Sequence, residues 1–293
     1  MNPIKSTLRF FYRGFQYMIS GVPNHIVNVS VVSLASSDLL KGRCALITGG
    51  TSGIGFEIAK AFINAGGTVV ITGRSQDRID AALAKLHKGK SFGLVLDNTN
   101  VGSFDNKFRE LLSVLNQANV PQIDILVNNA GVNGKGMPNA TEEEYDKILD
   151  TNLKGVFFLS QMFGRYLVRN NIKGNILNIA SASSLRPADS AYSITKWGVR
   201  GLTLGLAKSL GKEGITVNGI APGPTATPML IKDDKVNLYL NRIPLGRYIM
   251  PEEIANMAVV LVSDMGRSIM GELIYMTGGA ANLTYDDVNY TFR

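Results

Sequence analysis

Cysteine and histidine are both scarce in this chain of 293 residues. Cys44 is the single thiol and lies inside an apolar run, so the sequence has neither a disulfide framework nor a thiolate metal site. The two histidines, His25 and His87, are far apart in the sequence, which excludes a histidine-rich metal cluster. We therefore expect no metal centre.

Long hydrophobic runs are also missing. No segment sustains the ~18 consecutive apolar residues that a membrane-spanning helix requires. The uncharged stretch after Arg13 is interrupted by Pro23 and Asn24, which makes it a poor transmembrane helix or secretory signal. We expect a cytoplasmic protein.

Acidic residues are absent before Asp38, where Lys5, Arg9 and Arg13 are interspersed with aromatic residues. This basic aromatic segment could be an amphipathic helix on a membrane surface, an organellar targeting segment, or an arm that packs on its own protein or on a neighbouring subunit. We favour the packing arm over membrane contact. The predicted organisation is an N-terminal arm over 1–38 followed by a further domain over 39–293.

A concentrated positive region is missing as well. The net charge is +7, but the basic residues are scattered among acidic ones instead of forming arginine-rich blocks. This distribution favours a small phosphorylated ligand and argues against nucleic acid as a partner. The hydrophobic content of 45% is enough for a large core, and we expect one globular domain after the arm.

From Leu39 onward, short β-rich runs alternate with longer helical patterns. The predicted strands lie at 43–50, 68–74, 91–97, 123–131, 174–181, 215–223 and 271–279. The predicted helices lie at about 53–66, 75–87, 101–118, 141–170, 190–213 and 251–263. This alternation predicts an α/β fold, a doubly wound parallel sheet of about seven strands with helices on both faces. Ligands of such sheets bind beyond the carboxyl ends of the strands.

A glycine-rich turn, ITGGTSGIG (47–55), joins the first strand to the first helix. Its G-x-x-x-G-x-G spacing permits a tight turn and close approach of the backbone to a phosphate. The N-terminus of the helix presents free N–H groups and a positive dipole to a pyrophosphate. We predict a nucleotide site here, as opposed to a plain turn, formed by Gly49, Thr51, Ser52, Gly53, Ile54 and Gly55.

The second strand ends in ITGR (71–74). A site for NAD usually has an acidic residue at this point to bind the ribose 2′-hydroxyl, whereas an arginine suits the 2′-phosphate of NADP. Gly73 stands where the acid would be, and Arg74 follows it. We predict a preference for NADP(H), with NAD(H) as the second choice; the alternative is that Arg74 is a solvated residue at the end of a strand.

The third and fourth strands also end in polar or small residues. Asp97 could accept a hydrogen bond from an adenine amino group, with Asn98 beside it. Asn129, Ala130 and Gly131 could form a wall of the nucleotide cleft. Each polar residue could instead cap a loop or bond the backbone, but their position at the carboxyl edge favours cofactor contact.

Tyr192 and Lys196 are four residues apart in AYSITKWG (191–198), inside a predicted helix. Residues at this spacing lie on one helical face, so the ammonium can reach the surroundings of the phenol. A nearby cation lowers the pKa of a tyrosine and makes it a useful proton donor or acceptor. The same spacing also occurs in exposed helices that have no catalytic role.

Together, the glycine turn, NNAG (128–131) and YSITK (192–196) resemble the classical short-chain dehydrogenase/reductase family. The resemblance covers about 39–285, nearly everything except the arm, and implies a single Rossmann-type domain. It also implies four catalytic residues, Asn152, Ser181, Tyr192 and Lys196.

By this resemblance, Asn152 helps to hold a water near Lys196, and Lys196 lowers the tyrosine pKa and binds the nicotinamide ribose. Tyr192 is the acid in ketone reduction or the base in alcohol oxidation. Ser181 binds the substrate oxygen; Ser183 and Ser184 are its rivals, because the interval of eleven residues to the tyrosine is shorter than is common in the family.

The resemblance extends to the exit of the sixth strand, APGPTATPM (221–229). Pro222 and Gly223 would shape the turn there, and Thr227 would contact the nicotinamide carboxamide. A local capping role for Thr227 is the alternative. The segment at about 228–250 has no regular pattern and is interpreted as a substrate lid.

The implied function is hydride transfer between the nicotinamide of NADP and a ketone or secondary alcohol. Gly198 and Val199 stand where the branch that reduces C=C bonds has its lysine, so carbonyl chemistry fits better. The substrate stays open among 3-oxoacyl, sugar, steroid and other hydroxy compounds, and we expect a homodimer or homotetramer. The alternatives are a non-catalytic nucleotide-binding redox sensor or scaffold, and a reductase associated with a membrane surface.

Overall fold

Seven parallel strands form one sheet in the computed structural model, which describes residues 38–229 and 237–280. The strands are β1 (Cys44–Ile47), β2 (Thr68–Gly73), β3 (Ser91–Val95), β4 (Ile123–Asn128), β5 (Asn175–Ile179), β6 (Thr216–Pro222) and β7 (Leu273–Met276). Their order across the sheet is β3-β2-β1-β4-β5-β6-β7. Each predicted strand is confirmed, and the doubly wound fold is confirmed with them.

Helices cover both faces of this sheet. They are α1 (Gly53–Asn64), α2 (Gln76–Leu83), α3 (Phe104–Gln117), α4 (Glu142–Leu149), α5 (Gly155–Arg169), α6 (Ala191–Leu210) and α7 (Pro251–Val262). Ala45 and Ile47 of β1 are buried with α1, α2 and α7, whereas Cys44 and Leu46 are buried with α3, α5 and α6. This alternation within one strand produces two apolar layers, as the period of two in a strand requires.

The helix predicted at 141–170 is divided in two. The Thr141 side chain accepts a hydrogen bond from the Glu144 backbone and so caps α4, but a π-helical segment, Asp150–Lys154, separates α4 from α5. π-Helical turns inside helices often occur at functional sites. The predicted asparagine, Asn152, lies in this segment.

The order of the strands reverses direction at β1, which pairs with β2 on one side and with β4 on the other. Such a switch point opens a crevice outside the carboxyl ends of the strands. The glycine turn follows β1 and NNAG completes β4, so both motifs border this crevice.

The predicted lid and arm are only partly described. Residues 230–236 of the lid and residues 1–37 of the arm lie outside the described residues. Residues 237–250 are more regular than the sequence suggested, because the Tyr248 backbone N–H donates to the Leu238 carbonyl at 3.0 Å and Ile249 N–H donates to Pro224 O at 2.8 Å. Across 38–229 and 237–280, no helix has the length and apolarity needed to cross a bilayer.

Candidate active site

The glycine turn between β1 and α1 is shaped by residues with positive φ. Gly49 has φ of +63° and Gly53 has φ of +56°, a conformation that residues with a Cβ rarely adopt. Ser52 is the N-cap of α1, and among the described residues no side chain caps this end and no acidic residue stands in its first turn. Thr51 is half-buried, and Ile54 packs against the core. The free N–H groups and positive dipole of α1 are therefore available to an anion.

Residues of NNAG (128–131) stabilise the glycine turn through hydrogen bonds. The Asn129 Nδ2 donates to the carbonyls of Thr48 at 2.9 Å and Gly49 at 3.1 Å. The Thr48 Oγ1 accepts hydrogen bonds from the backbone N–H groups of Asn129 and Ala130. Asn129 is thus a support of the turn, with its amide nitrogen already used. Sequence reasoning did not single out Thr48, and its only sequence signal is its place immediately before Gly49.

Close packing also explains why glycine is required at two further positions. A Cβ on Gly55 would lie 2.7 Å from the Gly49 carbonyl oxygen and against the Asn129 amide. A Cβ on Gly223, just after β6, would lie 2.8 Å from the Cα of Thr277. Pro222 ends β6, and the Thr227 methyl lies near Gly53, which brings the exits of β1 and β6 together. Gly131 lies beside the Asn152 side chain.

The exits of β2 and β3 carry Arg74, Asp97 and Asn98. Arg74 is exposed and makes no hydrogen bond or ion pair within the described part of the chain. Asp97 Oδ1 accepts from the backbone N–H and the hydroxyl of Thr99, both at 2.9 Å. Asn98 is buried, and its Nδ2 has no hydrogen-bond partner among the described residues. Within the described residues, Arg74 and the Asn98 amide nitrogen are therefore donors without an acceptor.

Ser181, Tyr192 and Lys196 come together beside this crevice. Ser181 follows β5, Tyr192 is in the first turn of α6, and Lys196 is one turn further along the same helix. The Ser181 hydroxyl is near enough to Tyr192 to lower its pKa by hydrogen bonding, and it also donates to the Ser183 hydroxyl at 3.3 Å. The Lys196 Nζ donates to the Ile179 carbonyl at 2.8 Å and lies 5.5 Å from the centroid of the Tyr192 ring. The predicted catalytic group is thus assembled from two neighbouring elements.

Burial changes the acidity of both titratable groups. It lowers the pKa of Lys196 to about 8, because a charged ammonium loses its hydration. It also raises the pKa of Tyr192 above its ordinary value, and the hydrogen bond with Ser181 offsets part of that rise. Lys196 is not among the causes of the shift in the Tyr192 pKa, and its predicted effect on that pKa stays a prediction. Desolvation of the phenolate is the stronger effect, and Ser181 supplies the opposing interaction.

Asn152 is 1% exposed and joins three parts of the site. Its Oδ1 accepts from the Val132 N–H and its Nδ2 donates to the Val132 carbonyl, both at 2.8 Å. Its Nδ2 also lies 3.4 Å from the Thr195 hydroxyl on α6. The π-helical segment directs this amide towards the loop after β4, so Asn152 links that loop to the helix with Tyr192 and Lys196.

The two rival serines have different surroundings. The Ser184 hydroxyl is buried and donates to the Ser181 carbonyl at 2.8 Å, so it stabilises the turn. The Ser183 hydroxyl is 3.3 Å from the Ser181 hydroxyl. Of the three serines, only Ser181 is among the causes that shift the Tyr192 pKa, which favours it as the catalytic serine.

A buried polar chain beneath the site was missed by sequence reasoning. The Asn128 Nδ2 donates to Ser160 Oγ and to Asn178 Oδ1, both at 2.9 Å, and Asn178 Nδ2 donates to Thr203 Oγ1 at 2.9 Å. It ties α5, β4, β5 and α6 together, although the buried Asn128 Oδ1 has no hydrogen-bond partner among the described residues. The signal was present, since polar residues inside apolar strands need buried partners.

The geometry fits a dinucleotide across the switch point. The glycine turn and the open N-terminus of α1 suit a pyrophosphate, the exits of β2 and β3 suit the adenosine half, and the group of Ser181, Tyr192 and Lys196 stands at the far side. No group of three metal-ligating side chains occurs within the described residues. A doubly wound sheet with this crevice and an acid/base group beside it defines a nucleotide-dependent oxidoreductase.

Comparison with known proteins gives the family. Residues 49–281 match the family model described as enoyl-(acyl carrier protein) reductase. A 3α-hydroxysteroid dehydrogenase of Mediterraneibacter gnavus is 36% identical over 255 residues, which cover 83% of this chain and 98% of that protein. The 3-oxoacyl-[acyl-carrier-protein] reductase FabG of Aquifex aeolicus is 35% identical over 248 residues, covering 82% of this chain and 98% of that protein. The chain belongs to the classical short-chain dehydrogenase/reductase family.

A solved structure shows the same relation. The 3-ketoacyl-(acyl-carrier-protein) reductase from Brucella melitensis, complexed with NADH, superposes with a TM-score of 0.72 at 29% identity. The match covers 82% of this chain and 99% of that one. This protein is therefore an oxidoreductase with the Rossmann-type fold of enzymes that bind nicotinamide nucleotides.

Proposed function

We propose that this protein transfers a hydride between NADP(H) and a ketone or secondary alcohol, with Tyr192 as the acid/base. The observation that carries the proposal is that Ser181, Tyr192 and Lys196 lie together at the crevice that the glycine turn borders, with the Lys196 Nζ 5.5 Å from the centroid of the Tyr192 ring. Bound nicotinamide would donate or accept the hydride at its C4. The remaining chemistry is orientation and proton transfer, which these side chains can perform.

Each residue then has a defined task. The Ser181 hydroxyl binds the substrate oxygen, and the Tyr192 hydroxyl donates a proton to the developing alkoxide. Because burial raises the Tyr192 pKa, the phenol holds its proton at neutral pH, which suits a proton donor. Lys196 binds the nicotinamide ribose, and Asn152 keeps the loop after β4 aligned with α6. In the reverse direction, Tyr192 removes the alcohol proton.

The substrate is an alcohol or carbonyl compound of moderate size. The spacing of Tyr192 and Lys196 supports carbonyl chemistry over C=C reduction, although the matched family model is described by an enoyl reductase. The relatives named above include one steroid and two oxoacyl enzymes, so 3-oxoacyl, steroid, sugar and other hydroxy compounds are all candidates here. The segment at about 228–250 is proposed as the lid that selects among them.

NADP(H) is the proposed cofactor because Arg74 is exposed at the exit of β2 without an intramolecular partner in the described chain, and Gly73 brings no carboxylate. An arginine can bind a 2′-phosphate through two parallel hydrogen bonds. The solved relative with NADH shows that NADH enters a related site, so the preference needs a direct test.

We expect Arg74→Met to weaken NADPH binding roughly tenfold and to leave NADH binding unchanged, because only NADPH carries the phosphate. Titration of both nucleotides by fluorescence or calorimetry measures this. Arg109→Met, an exposed arginine of α3, is the matched control and should change neither affinity. If wild type binds NADH as tightly as NADPH, the proposed preference is refuted.

An oligomer is proposed through α5 and α6. A groove of about 400 Å³ lies between these helices and is lined by Phe157, Val168, Leu202 and Leu206 among others. Gly201 and Gly205 lie four residues apart on α6, and a Cβ on either would meet nothing within 4 Å. Glycine costs about 1 kcal/mol in a helix, so two open glycines favour close approach by another chain. In a homodimer or homotetramer, a second copy of this protein would pack against these glycines.

The N-terminal segment and the location of the protein are also matters of proposal. We propose that residues 1–38 form an arm outside the catalytic domain of 39–293, and that the protein is cytoplasmic. The described part of the chain supports one catalytic domain, since a single sheet and its two helix layers account for it. Removal of residues 1–37 followed by a liposome-binding assay would separate a packing arm from a membrane-binding one.

A further inference from the structure

The turn that begins at Ser181 is held by α6, the helix that also carries Tyr192. This turn is a short 3₁₀ helix, Ala182–Leu185. The Trp197 Nε1 donates to the Arg186 carbonyl at 2.8 Å, and an Arg200 guanidinium nitrogen donates to the Ser184 carbonyl at 3.1 Å. With the bond from Lys196 to Ile179, α6 thus binds backbone carbonyls on both sides of Ser181.

Trp197 and Arg200 also contact each other. The Arg200 Cζ lies 5.3 Å from the centroid of the Trp197 ring, a cation–π arrangement. Trp197 is 41% exposed, so burial alone does not account for the position of its ring. The ring is instead oriented by its N–H hydrogen bond and by the guanidinium. The two side chains form one unit on the outer side of the Ser181 turn.

The Ser181 hydroxyl is hydrogen-bonded within its own turn. Its Oγ accepts from the Ser183 backbone N–H at 3.1 Å and lies 3.3 Å from the Ser183 hydroxyl. The orientation of the Ser181 hydroxyl relative to Tyr192 therefore depends on the conformation of this turn. The direction of the serine depends on how firmly the carbonyls of Ser184 and Arg186 are held.

We propose that Trp197 and Arg200 are positioning residues, which fix the Ser181 hydroxyl against Tyr192 by tying its turn to α6. The proposal rests on the proposed function, because Ser181 must bind the substrate oxygen for its direction to matter. Neither side chain is assigned contact with substrate or cofactor. Their effect is exerted through the backbone of residues 184–186.

The test is a double-mutant cycle with Ser181→Ala. Arg200→Met and Trp197→Phe each remove one donor, and we expect each to lower kcat for ketone reduction roughly tenfold with the NADPH dissociation constant unchanged. In the Ser181→Ala background, the same substitutions should cause no further loss. Arg200→Lys, which keeps a cationic donor, should recover part of the loss, and Arg109→Met should cause none.

The outcomes distinguish a failure of the positioning role from a failure of the proposed function. If the losses persist undiminished in the Ser181→Ala background, or if neither substitution lowers kcat, the positioning role is refuted. If Ser181→Ala itself retains full kcat, the proposed function fails first. Trp197 is the single tryptophan of the chain, so its fluorescence reports whether the ring moves in Arg200→Met. Should Arg200→Met fail to fold, Trp197→Phe and Arg200→Lys carry the same cycle.

Discussion

Burial favours the neutral form of both Tyr192 and Lys196. A neutral lysine and a protonated tyrosine need less hydration than their charged forms, so the two pKa values move in opposite directions. The sequence placed the two residues on one helical face, but it did not give the degree of burial. The sequence therefore predicts that the two side chains are neighbours, whereas the shifts of their pKa values depend on tertiary burial.

The buried lysine should make stability depend on pH. The folded pKa of about 8 lies below the ordinary 10.5, so between these values the unfolded state binds more protons and the free energy of unfolding rises with pH. The Lys196→Met variant has no buried ammonium and therefore lacks this pH-dependent destabilisation. We expect the variant to be more stable than wild type at pH 7 by about 3 kcal/mol, with the gap closing as the pH approaches 10.

Urea denaturation at several pH values measures this difference. Burial also raises the pKa of Cys44 to about 12, but that thiol is present in both proteins and cancels in the comparison. A gap between Lys196→Met and wild type that stays constant from pH 7 to pH 10 would show that Lys196 keeps its ordinary pKa.

Among the structural elements, the glycine turn was the most predictable. Its spacing and its place between a strand and a helix are local features, and the positive φ of Gly49 and Gly53 agrees with them. Its support is not local, because Asn129 reaches it from β4, about 80 residues away in sequence. The division of the predicted 141–170 helix has no clear sequence signal, since the Asn152 bonds that accompany it depend on tertiary contacts.

Gly55→Ala should damage this turn. The added methyl group would lie 2.7 Å from the Gly49 carbonyl oxygen and against the Asn129 amide, so the turn must shift. We expect at least a tenfold loss in NADPH affinity together with a lower Tm. Calorimetric titration and thermal unfolding measure the two effects.

Gly102→Ala is the control for Gly55→Ala, because its nearest neighbour would be the Asn100 side chain at 3.9 Å. This variant should bind NADPH as wild type does. Equal NADPH affinity in the two alanine variants would mean that the turn does not approach the cofactor closely.

For the whole molecule, periodicity and strand ends predicted the sheet and the edge at which the site is built. The switch point follows from the strand order, which a right-handed βαβ pattern strongly restricts. The pairing of Ile249 with Pro224 and Ala226 was not predicted, because it joins segments without strand-like patterns. Local patterns thus predicted the framework, and tertiary contacts determined how the loops cover it.

Assembly is a property of the whole molecule that the α5 and α6 surface makes testable. We expect a dimeric or tetrameric mass by light scattering and a smaller mass for Leu204→Glu, because the charge would enter the proposed contact. Val114→Glu is a matched control, since Leu204 and Val114 are each 53% exposed and Val114 lies on α3. A monomeric wild type, or the same mass for both variants, would refute the interface.

Tyr192 is expected to transfer the proton during NADPH-dependent carbonyl reduction. The most direct measurement is the rate of NADPH consumption with a panel of ketones, wild type against Tyr192→Phe, after confirming that both bind NADPH equally. We expect turnover of at least one ketone by wild type and a loss of at least a hundredfold in the variant, which keeps the ring and lacks the hydroxyl proton. Equal turnover by the two proteins would contradict it.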